Sequence, residues 1–113
     1  MSSAMEITKS NFRDEVLESD VPVLLDLWAA WCGPCRVVGP IVDELASDYA
    51  GRLKVGKIDV DAEPELAAAF GVASIPTIVL IKDGQVVSSA IGARPKAQLQ
   101  QALALDEHAA AAA

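Results

Sequence analysis

The feature that most constrains this chain is an apolar run from Val21 to Ala29 that contains one charged residue, Asp26. A strand that is apolar on both sides has to be covered on both sides, as the inner strands of α/β sheets are. The run leads into Trp31-Cys32-Gly33-Pro34-Cys35, which holds both cysteines of the protein, and it is too short to span a bilayer. The sequence therefore predicts a central strand that ends in a turn carrying two cysteines.

The residues after this strand have the features of a helix start. Pro34 suits the first turn of a helix, because its missing N–H would have no partner there and its φ is already helical. Cys32 then lies at or just before the helix start. Cys35 lies about one turn later on the same side, within the α-carbon separation that a disulfide tolerates. Because free N–H groups and the positive dipole end favour an anion, we expect Cys32 to be the nucleophile and Cys35 the resolving cysteine.

The remaining periodic segments predict strands and helices on both sides of this turn. The predicted strands are a short edge strand around Ile7, the central strand, and strands at 53–60, 77–81 and 86–91. The predicted helices are one capped by Ser10 or Asn11 that carries Phe12, Val16 and Leu17, one from Pro34 to Tyr49 that Pro40 bends, one from Pro64 to Gly71, and one from Pro95 that carries Leu99, Ala102 and Leu103. Asp83-Gly84 predicts a tight hairpin between the last two strands. This succession gives a mixed sheet with helices on both faces.

Composition and charge limit the domain count and the partners. The 113 residues fit one domain, and two cysteines are too few for a disulfide framework. We expect the domain to span 1–107 and the alanine-rich segment 108–113 to be a disordered tail. A net charge of −7 disfavours nucleic acid and anionic membranes as partners. Because the first residues lack the basic and apolar regions of a signal peptide, a cytoplasmic, reducing location is expected.

Two charged residues in the predicted strands have more than one interpretation. An ionised carboxylate at Asp26 would be costly inside the most hydrophobic strand, so its pKa is expected to rise and the carboxyl could exchange protons. Alternatively, Asp26 faces water or caps a neighbouring backbone group. Lys57, in the adjacent predicted strand, could pair with Asp26 and moderate that rise, or it could be a solvated strand lysine.

An ordered set of motifs resembles the thioredoxin family. Its members are Asp26, Trp28-Ala29-Ala30-Trp31-Cys32-Gly33-Pro34-Cys35, Pro40, Lys57, Ile75-Pro76-Thr77 and Gly92, and the resemblance runs from about Ile7 to about Leu105. A Cys-X-X-Cys pair alone is a weak signal, whereas this set in this order is specific. The resemblance implies an α/β thioredoxin fold, a five-stranded mixed sheet of order 1-3-2-4-5 flanked by four α-helices. Four residues depart from the commonest family pattern, namely Leu27, Ala30, Arg36 and Ser74. Ala30 and Ser74 adjoin the expected docking surface and leave the partner preference open.

The resemblance also implies how the site works. A protein dithiol–disulfide oxidoreductase would reduce target proteins through Cys32 and Cys35, with Asp26 taking a proton from Cys35 and Lys57 nearby. A cis Ile75–Pro76 bond would leave the preceding backbone free to bond an extended substrate. The surface that binds the substrate would comprise Trp31, Gly33, Pro34, Ile75, Pro76, Ile91, Gly92 and Ala93. The chain would bind no cofactor or metal, would receive electrons from NADPH through a flavin-containing thioredoxin reductase, and would work as a monomer.

Two other functions compete with this interpretation. Cys-X-X-Cys is also half of a zinc site, but zinc usually takes four ligands, and the single histidine, His108, lies in the tail. The fold could instead serve as a non-catalytic interaction or chaperone-like subunit whatever its redox state. Stoichiometric zinc in the purified protein would favour the first alternative. Full biological activity of a Cys32→Ser, Cys35→Ser variant would favour the second.

Overall fold

One mixed sheet organises the computed structural model, which describes residues 4–111. The strands in that range are β1 (Met5–Glu6), β2 (Val23–Trp28), β3 (Lys54–Asp59), β4 (Thr77–Lys82) and β5 (Gln85–Ile91). The α-helices in the same range are α1 (Gly33–Asp48), α2 (Pro64–Ala69), α3 (Lys96–Ala102) and α4 (Leu105–His108), and a π-helical turn at Arg13–Leu17 precedes β2. The predicted strands are confirmed, with their bounds shifted by one or two residues.

β2 is the central strand, as predicted. It pairs in parallel with β3, which pairs in parallel with β1, and it pairs antiparallel with β4, which forms a hairpin with β5. The predicted order β1-β3-β2-β4-β5 is confirmed. At the hairpin turn, Asp83 and Gly84 have φ of 54° and 77°, the left-handed conformation that the tightest hairpins require.

Two hydrophobic cores cover the two faces of the sheet. One lies under α1 and α3 and includes Leu24, Val38, Val42, Leu45, Ile78, Leu80, Leu99, Leu103 and Leu105. The other includes Ile7, Val16, Val23, Leu25, Leu27, Ile58 and Leu66. Because side chains alternate along a strand, Asp26 faces the same side as Leu24, beneath α1. The expected burial of β2 on both faces is confirmed, and Asp26 does not lie on a wet face.

Helix α1 connects this buried strand to the cysteines. It runs from Gly33 through Pro40 to Asp48 as one α-helix. The bend expected at Pro40 stays a prediction. Within residues 4–111, no helix combines the length and the apolar character needed to cross a bilayer.

The prediction for the first helix is wrong in its type and in its cap. In the π-helical turn, the Glu18 N–H donates to the Arg13 carbonyl at 2.9 Å. Neither Ser10 nor Asn11 caps the turn, and Asn11 Oδ1 accepts instead from the Thr8 N–H at 2.7 Å. Leu17 is 46% exposed, although its neighbour Val16 is buried as expected. Over five residues, the apolar spacing of a π-helical turn cannot be distinguished from that of an α-helix.

The predicted last helix is divided into two. Ala104, between α3 and α4, has a left-handed φ of 52°, a conformation that does not continue a right-handed helix. The described chain therefore has one more helical segment than the four that were predicted. Leu99 and Leu103, predicted for the apolar face, are fully buried, whereas Ala102, predicted with them, is exposed.

The chain beyond α4 contacts the body of the protein as far as Ala110. Ala109 packs against the core under α1. The Ala110 N–H donates to the Arg52 carbonyl at 3.0 Å, and Arg52 Nε donates to the Ala110 carbonyl at 3.1 Å. Residues 112 and 113, part of the expected disordered tail, lie outside the described residues, and the domain boundary after 107 stays a prediction.

Candidate active site

Cys32 is the N-cap residue of α1. Its backbone is extended, with φ −88° and ψ 109°, and its Sγ accepts a hydrogen bond from the Cys35 N–H at 3.2 Å. Pro34 lies in the first turn of the helix, as predicted. The helix thus directs a backbone N–H and the positive end of its dipole at Cys32 Sγ. Both stabilise negative charge on this sulfur when the pair is reduced.

Cys32 and Cys35 form a disulfide, and their α-carbons are 5.3 Å apart. The predicted one-turn separation is confirmed. Exposure does not distinguish the two cysteines, since each is 4% exposed. Their positions on α1 do, because Cys32 caps the helix terminus whereas Cys35 lines a pocket beneath the helix.

Two segments distant in sequence meet at Cys32. The Ile75 carbonyl oxygen lies 3.8 Å from Cys32 Sγ, and the Ile75–Pro76 bond is cis, as predicted. The Pro76 carbonyl accepts from the Gly92 N–H at 2.8 Å. This hydrogen bond fixes the end of β5 beside the cysteine turn.

The eight residues predicted to bind a substrate belong to the segments that meet here, but they differ in exposure. Five are exposed, namely Trp31, Gly33, Pro34, Ile91 and Ala93. Ile75 and Gly92 are half-buried, and Pro76 is buried. Pro76 therefore shapes the backbone at Ile75 and offers little surface of its own. Trp28 is half-buried and packs against the cluster that Ala29, Cys32 and Cys35 form.

An apolar groove of about 470 Å³ lies beside Trp31 and Ile75. Its other lining residues are Val60, Ala67, Val72, Ala73 and Ser74. Trp31 is 68% exposed, and its Nε1–H donates to Asp61 Oδ2 at 2.9 Å. The indole ring is therefore held as one wall of the groove instead of moving freely in solvent.

The sequence predictions missed Val60 and Asp61 as parts of this site. A signal was available, because β2 and β3 are parallel neighbours and their carboxyl ends lie at the same edge of the sheet. Residues that follow the predicted strand 53–60 therefore had to lie near the cysteine turn. Which of them would contact Trp31 depends on the loop conformation, in which Asp59 Oδ1 accepts from the Asp61 N–H at 2.9 Å.

A second pocket, of about 410 Å³, lies beneath α1 and shares no lining residue with the groove. Asp26 and Cys35 both line it. Asp26 is 1% exposed, and its Oδ1 has no hydrogen-bond partner among the described residues. Burial raises the pKa of Asp26 from 3.8 to about 6, while Lys57 lowers it and Asp43 raises it further. With this pKa, the Asp26 carboxyl can take up and release a proton near neutral pH.

Lys57 does not form the ion pair with Asp26 that was one of the two interpretations of this residue. The two residues are neighbours in the register of β3 and β2, but Lys57 Nζ lies 2.9 Å from Asp43 Oδ1 of α1. The side chains of Lys57 and Asp43 are 26% and 36% exposed, so both charges keep part of their hydration. A pair buried with Asp26 would lose that hydration, which costs several kcal/mol per ion. Lys57 still moderates the pKa rise of Asp26, as predicted, by its charge.

The arrangement suits reversible dithiol–disulfide chemistry. One sulfur caps a helix beside an apolar groove, and the other lines a pocket with a buried acid. Within residues 4–111, no three His, Cys, Asp or Glu residues are clustered as a metal ion would require.

Comparisons with known proteins agree with the motifs. The Thioredoxin family model matches residues 3–105. "Thioredoxin 1" from Nostoc sp. is 52% identical over 103 residues, which cover 91% of this chain and 96% of that protein. "Thioredoxin 1" from Synechococcus elongatus is 50% identical over 96% of this chain and 99% of its own length. "Thioredoxin" from Haemophilus influenzae is 50% identical over 88% of this chain and 92% of its own length.

Proposed function

Because this chain belongs to the thioredoxin family and is a thiol–disulfide oxidoreductase, we propose that it reduces disulfides of target proteins with Cys32 as the nucleophile and Cys35 as the resolving cysteine. The observation that carries the proposal is the hydrogen bond from the Cys35 N–H to Cys32 Sγ at the start of α1. It favours the thiolate at Cys32, and the thiolate is the reactive form of a cysteine.

The reaction has two exchange steps. In the first, the Cys32 thiolate attacks one sulfur of the substrate disulfide, forms a mixed disulfide, and releases the other substrate sulfur as a thiolate. In the second, Cys35 attacks Cys32 Sγ, and the substrate leaves with both of its sulfurs reduced. The two electrons come from the protein dithiol, which ends as the Cys32–Cys35 disulfide.

Asp26 is the proton acceptor in the second step. Cys35 must lose its proton to attack, and the shared pocket gives that proton a route to the Asp26 carboxyl. A base is most effective when its pKa lies near the working pH. The raised pKa of Asp26, about 6, meets that condition better than an ordinary aspartate would. Lys57 acts on this step through its charge.

Target proteins bind to the surface that comprises Trp31, Gly33, Pro34, Ile75, Pro76, Ile91, Gly92 and Ala93. All eight are apolar residues or glycines, and the groove beside Trp31 extends the contact area. An extended substrate segment would form main-chain hydrogen bonds with the backbone at Ile75, as an added strand does. These hydrogen bonds would supply affinity, and alternate side chains of the substrate would face the protein.

The disulfide returns to the dithiol through thioredoxin reductase, with electrons from NADPH, while the chain itself binds no cofactor. We place this cycle in the cytoplasm and assign it to a monomer that transports electrons to target proteins. The net charge of −7 is consistent with protein partners instead of nucleic acid or anionic membranes.

Reduction of insulin by NADPH and a thioredoxin reductase tests the proposal. The wild-type chain should sustain turnover, and Cys32→Ser should abolish it. Cys35→Ser should form a mixed disulfide at Cys32 that does not resolve and can be isolated by non-reducing electrophoresis. Turnover that survives Cys32→Ser would overturn the nucleophile assignment. Val87→Ala, an exposed change on β5 away from the cysteines, serves as the control and should keep full turnover.

A further inference from the structure

The pocket beneath α1 contains a charged residue that the proposed reaction does not use. Asp43 lies two helical turns after Cys35 on α1, with Gly39 between them, and all three residues line the pocket. Residues four apart lie on the same side of a helix. This row of α1 faces Asp26 of β2 and Lys57 of β3, which are neighbours in register.

Asp26 and Asp43 compete for one ammonium group. Lys57 Nζ is 2.9 Å from Asp43 Oδ1, whereas Asp26 Oδ1 has no hydrogen-bond partner among the described residues. The Lys57 side chain runs beside Gly39, where an added Cβ would lie only 3.8 Å from Nζ. The ammonium therefore rests against α1, at the partly exposed side of the pocket.

We propose that Asp43 is a positioning residue of this site, which holds the Lys57 ammonium against α1 and away from Asp26 so that the Asp26 carboxyl stays available to take the proton of Cys35. A cation in direct contact with Asp26 would stabilise its ionised form and make it a weaker base. Asp43 opposes the ionisation of Asp26 in two ways, because it binds the Lys57 ammonium and because its own negative charge repels a second carboxylate. The inference deepens the proposed function and rests on the proton transfer from Cys35 to Asp26.

The groups that can influence Asp26 in this pocket are few. Lys57 comes from β3, Cys35, Arg36 and Asp43 come from α1, and the neighbour in register on β4 is the apolar Ile78. The Arg36 guanidinium donates to the Ala30 carbonyl at 2.8 Å at the exposed rim. Lys57 is therefore the cation whose distance from Asp26 can be controlled by Asp43.

Titration of the Asp26 carboxyl carbon by NMR, in the oxidised protein, tests the proposal without any enzyme assay. In Asp43→Asn, the pKa of Asp26 should fall from about 6 toward the ordinary range of a carboxyl group. Asp43→Glu keeps the charge and should restore most of the wild-type pKa. Glu44→Gln is the matched control, because Glu44 is the next residue on α1, is exposed and pairs with Lys96 at 2.7 Å. It should leave the titration of Asp26 unchanged.

A double-mutant cycle separates positioning from simple repulsion between the two carboxylates. If Asp43 acts by holding Lys57, Asp43→Asn should lower the pKa of Asp26 more in the wild-type background than in the Lys57→Met background. Equal shifts in the two backgrounds, or no shift with Lys57 present, would overturn the proposal. Circular dichroism and urea unfolding identify a variant that fails to fold, and Asp43→Ser then carries the test, with the same expected fall in the pKa of Asp26. Failure of the insulin assay would count against the proposed function but would not change this titration.

Discussion

Asp26 is a buried acid whose Oδ1 has no hydrogen-bond partner within residues 4–111, so the free energy of unfolding should depend on its protonation. Its pKa is about 6 in the folded protein and 3.8 ordinarily. Between these values the folded state keeps a proton that the unfolded chain has released. This stabilisation is complete below pH 3.8 and is lost as pH rises through 6. A difference of this size corresponds to about 3 kcal/mol.

We therefore predict that Asp26→Asn is more stable than the wild-type protein at pH 7.5 and of similar stability at pH 3.5. The difference in unfolding free energy between the two proteins should change by about 3 kcal/mol over this range. Urea unfolding of the oxidised proteins measures it. Asp20→Asn, at an exposed position, is the control. Parallel stability curves for Asp26→Asn and the wild type would show that burial does not raise the pKa of this carboxyl.

Single residues also show where sequence reasoning fails. The burial of Asp26 could be predicted, because it lies within a run that is apolar on both faces. The partner of Lys57 could not, since the choice between Asp26 and Asp43 depends on where α1 crosses the sheet and on how much water each pair keeps. The bond between Trp31 and Asp61 was missed for a similar reason, because it depends on a loop conformation.

Strand β5 is the edge strand of the sheet, and only its carboxyl end lies at the proposed site. Substitutions at that end should therefore affect substrate binding more than substitutions earlier in the strand. Ile91 is 58% exposed next to Gly92, whose N–H bonds to Pro76. Val87 is 41% exposed and lies four residues earlier on the same strand. Both are apolar side chains open to solvent, but Ile91 belongs to the surface that we assign to substrate binding.

We predict that Ile91→Lys lowers kcat/KM for insulin reduction about tenfold, a loss of roughly 1.4 kcal/mol, because a charged group would be buried under the substrate. The rate with a small aromatic disulfide should change little, since such a substrate covers less of the surface. Val87→Lys is the matched control and should leave both rates near wild type. Equal losses for the two variants would place substrate binding elsewhere.

The elements were predicted best where their apolar pattern was long. β2 and α1 are defined by runs of six or more residues with a consistent pattern, and both are confirmed. The π-helical turn was missed because five residues cannot distinguish its period from that of an α-helix. The break between α3 and α4 was missed because Ala104 adopts a left-handed conformation that alanine seldom takes.

At the scale of the whole molecule, the order of strands required the family resemblance. Local patterns gave the strands, but many sheets satisfy the same local patterns, and only a recognised family selects one order. The contact between the segment after α4 and the loop between α1 and β3 was not predicted either. Ala110 and Arg52, far apart in sequence, exchange two hydrogen bonds, and alanine-rich composition carries no sign of such a contact.

We predict that Ala110→Pro lowers the unfolding free energy by about 1 kcal/mol. Proline removes the N–H that donates to the Arg52 carbonyl, and one hydrogen bond contributes about that amount. Thermal or urea unfolding measures the change. Ala111→Pro is the control, because Ala111 is exposed and should tolerate proline. Equal stability of the two variants would indicate that the end of the chain contributes nothing to the fold.

The separation of the groove beside Trp31 from the pocket beneath α1 has a consequence for large substrate proteins. Since no residue lines both, we expect a large protein bound over Cys32 Sγ to leave the pocket beneath α1 open to solvent. Under the proposed mechanism, we expect the hydrogen ion that Asp26 takes from Cys35 to escape through this pocket while the complex is still intact. We therefore expect no accumulation of acid beneath the helix, whatever the size of the molecule in front of it.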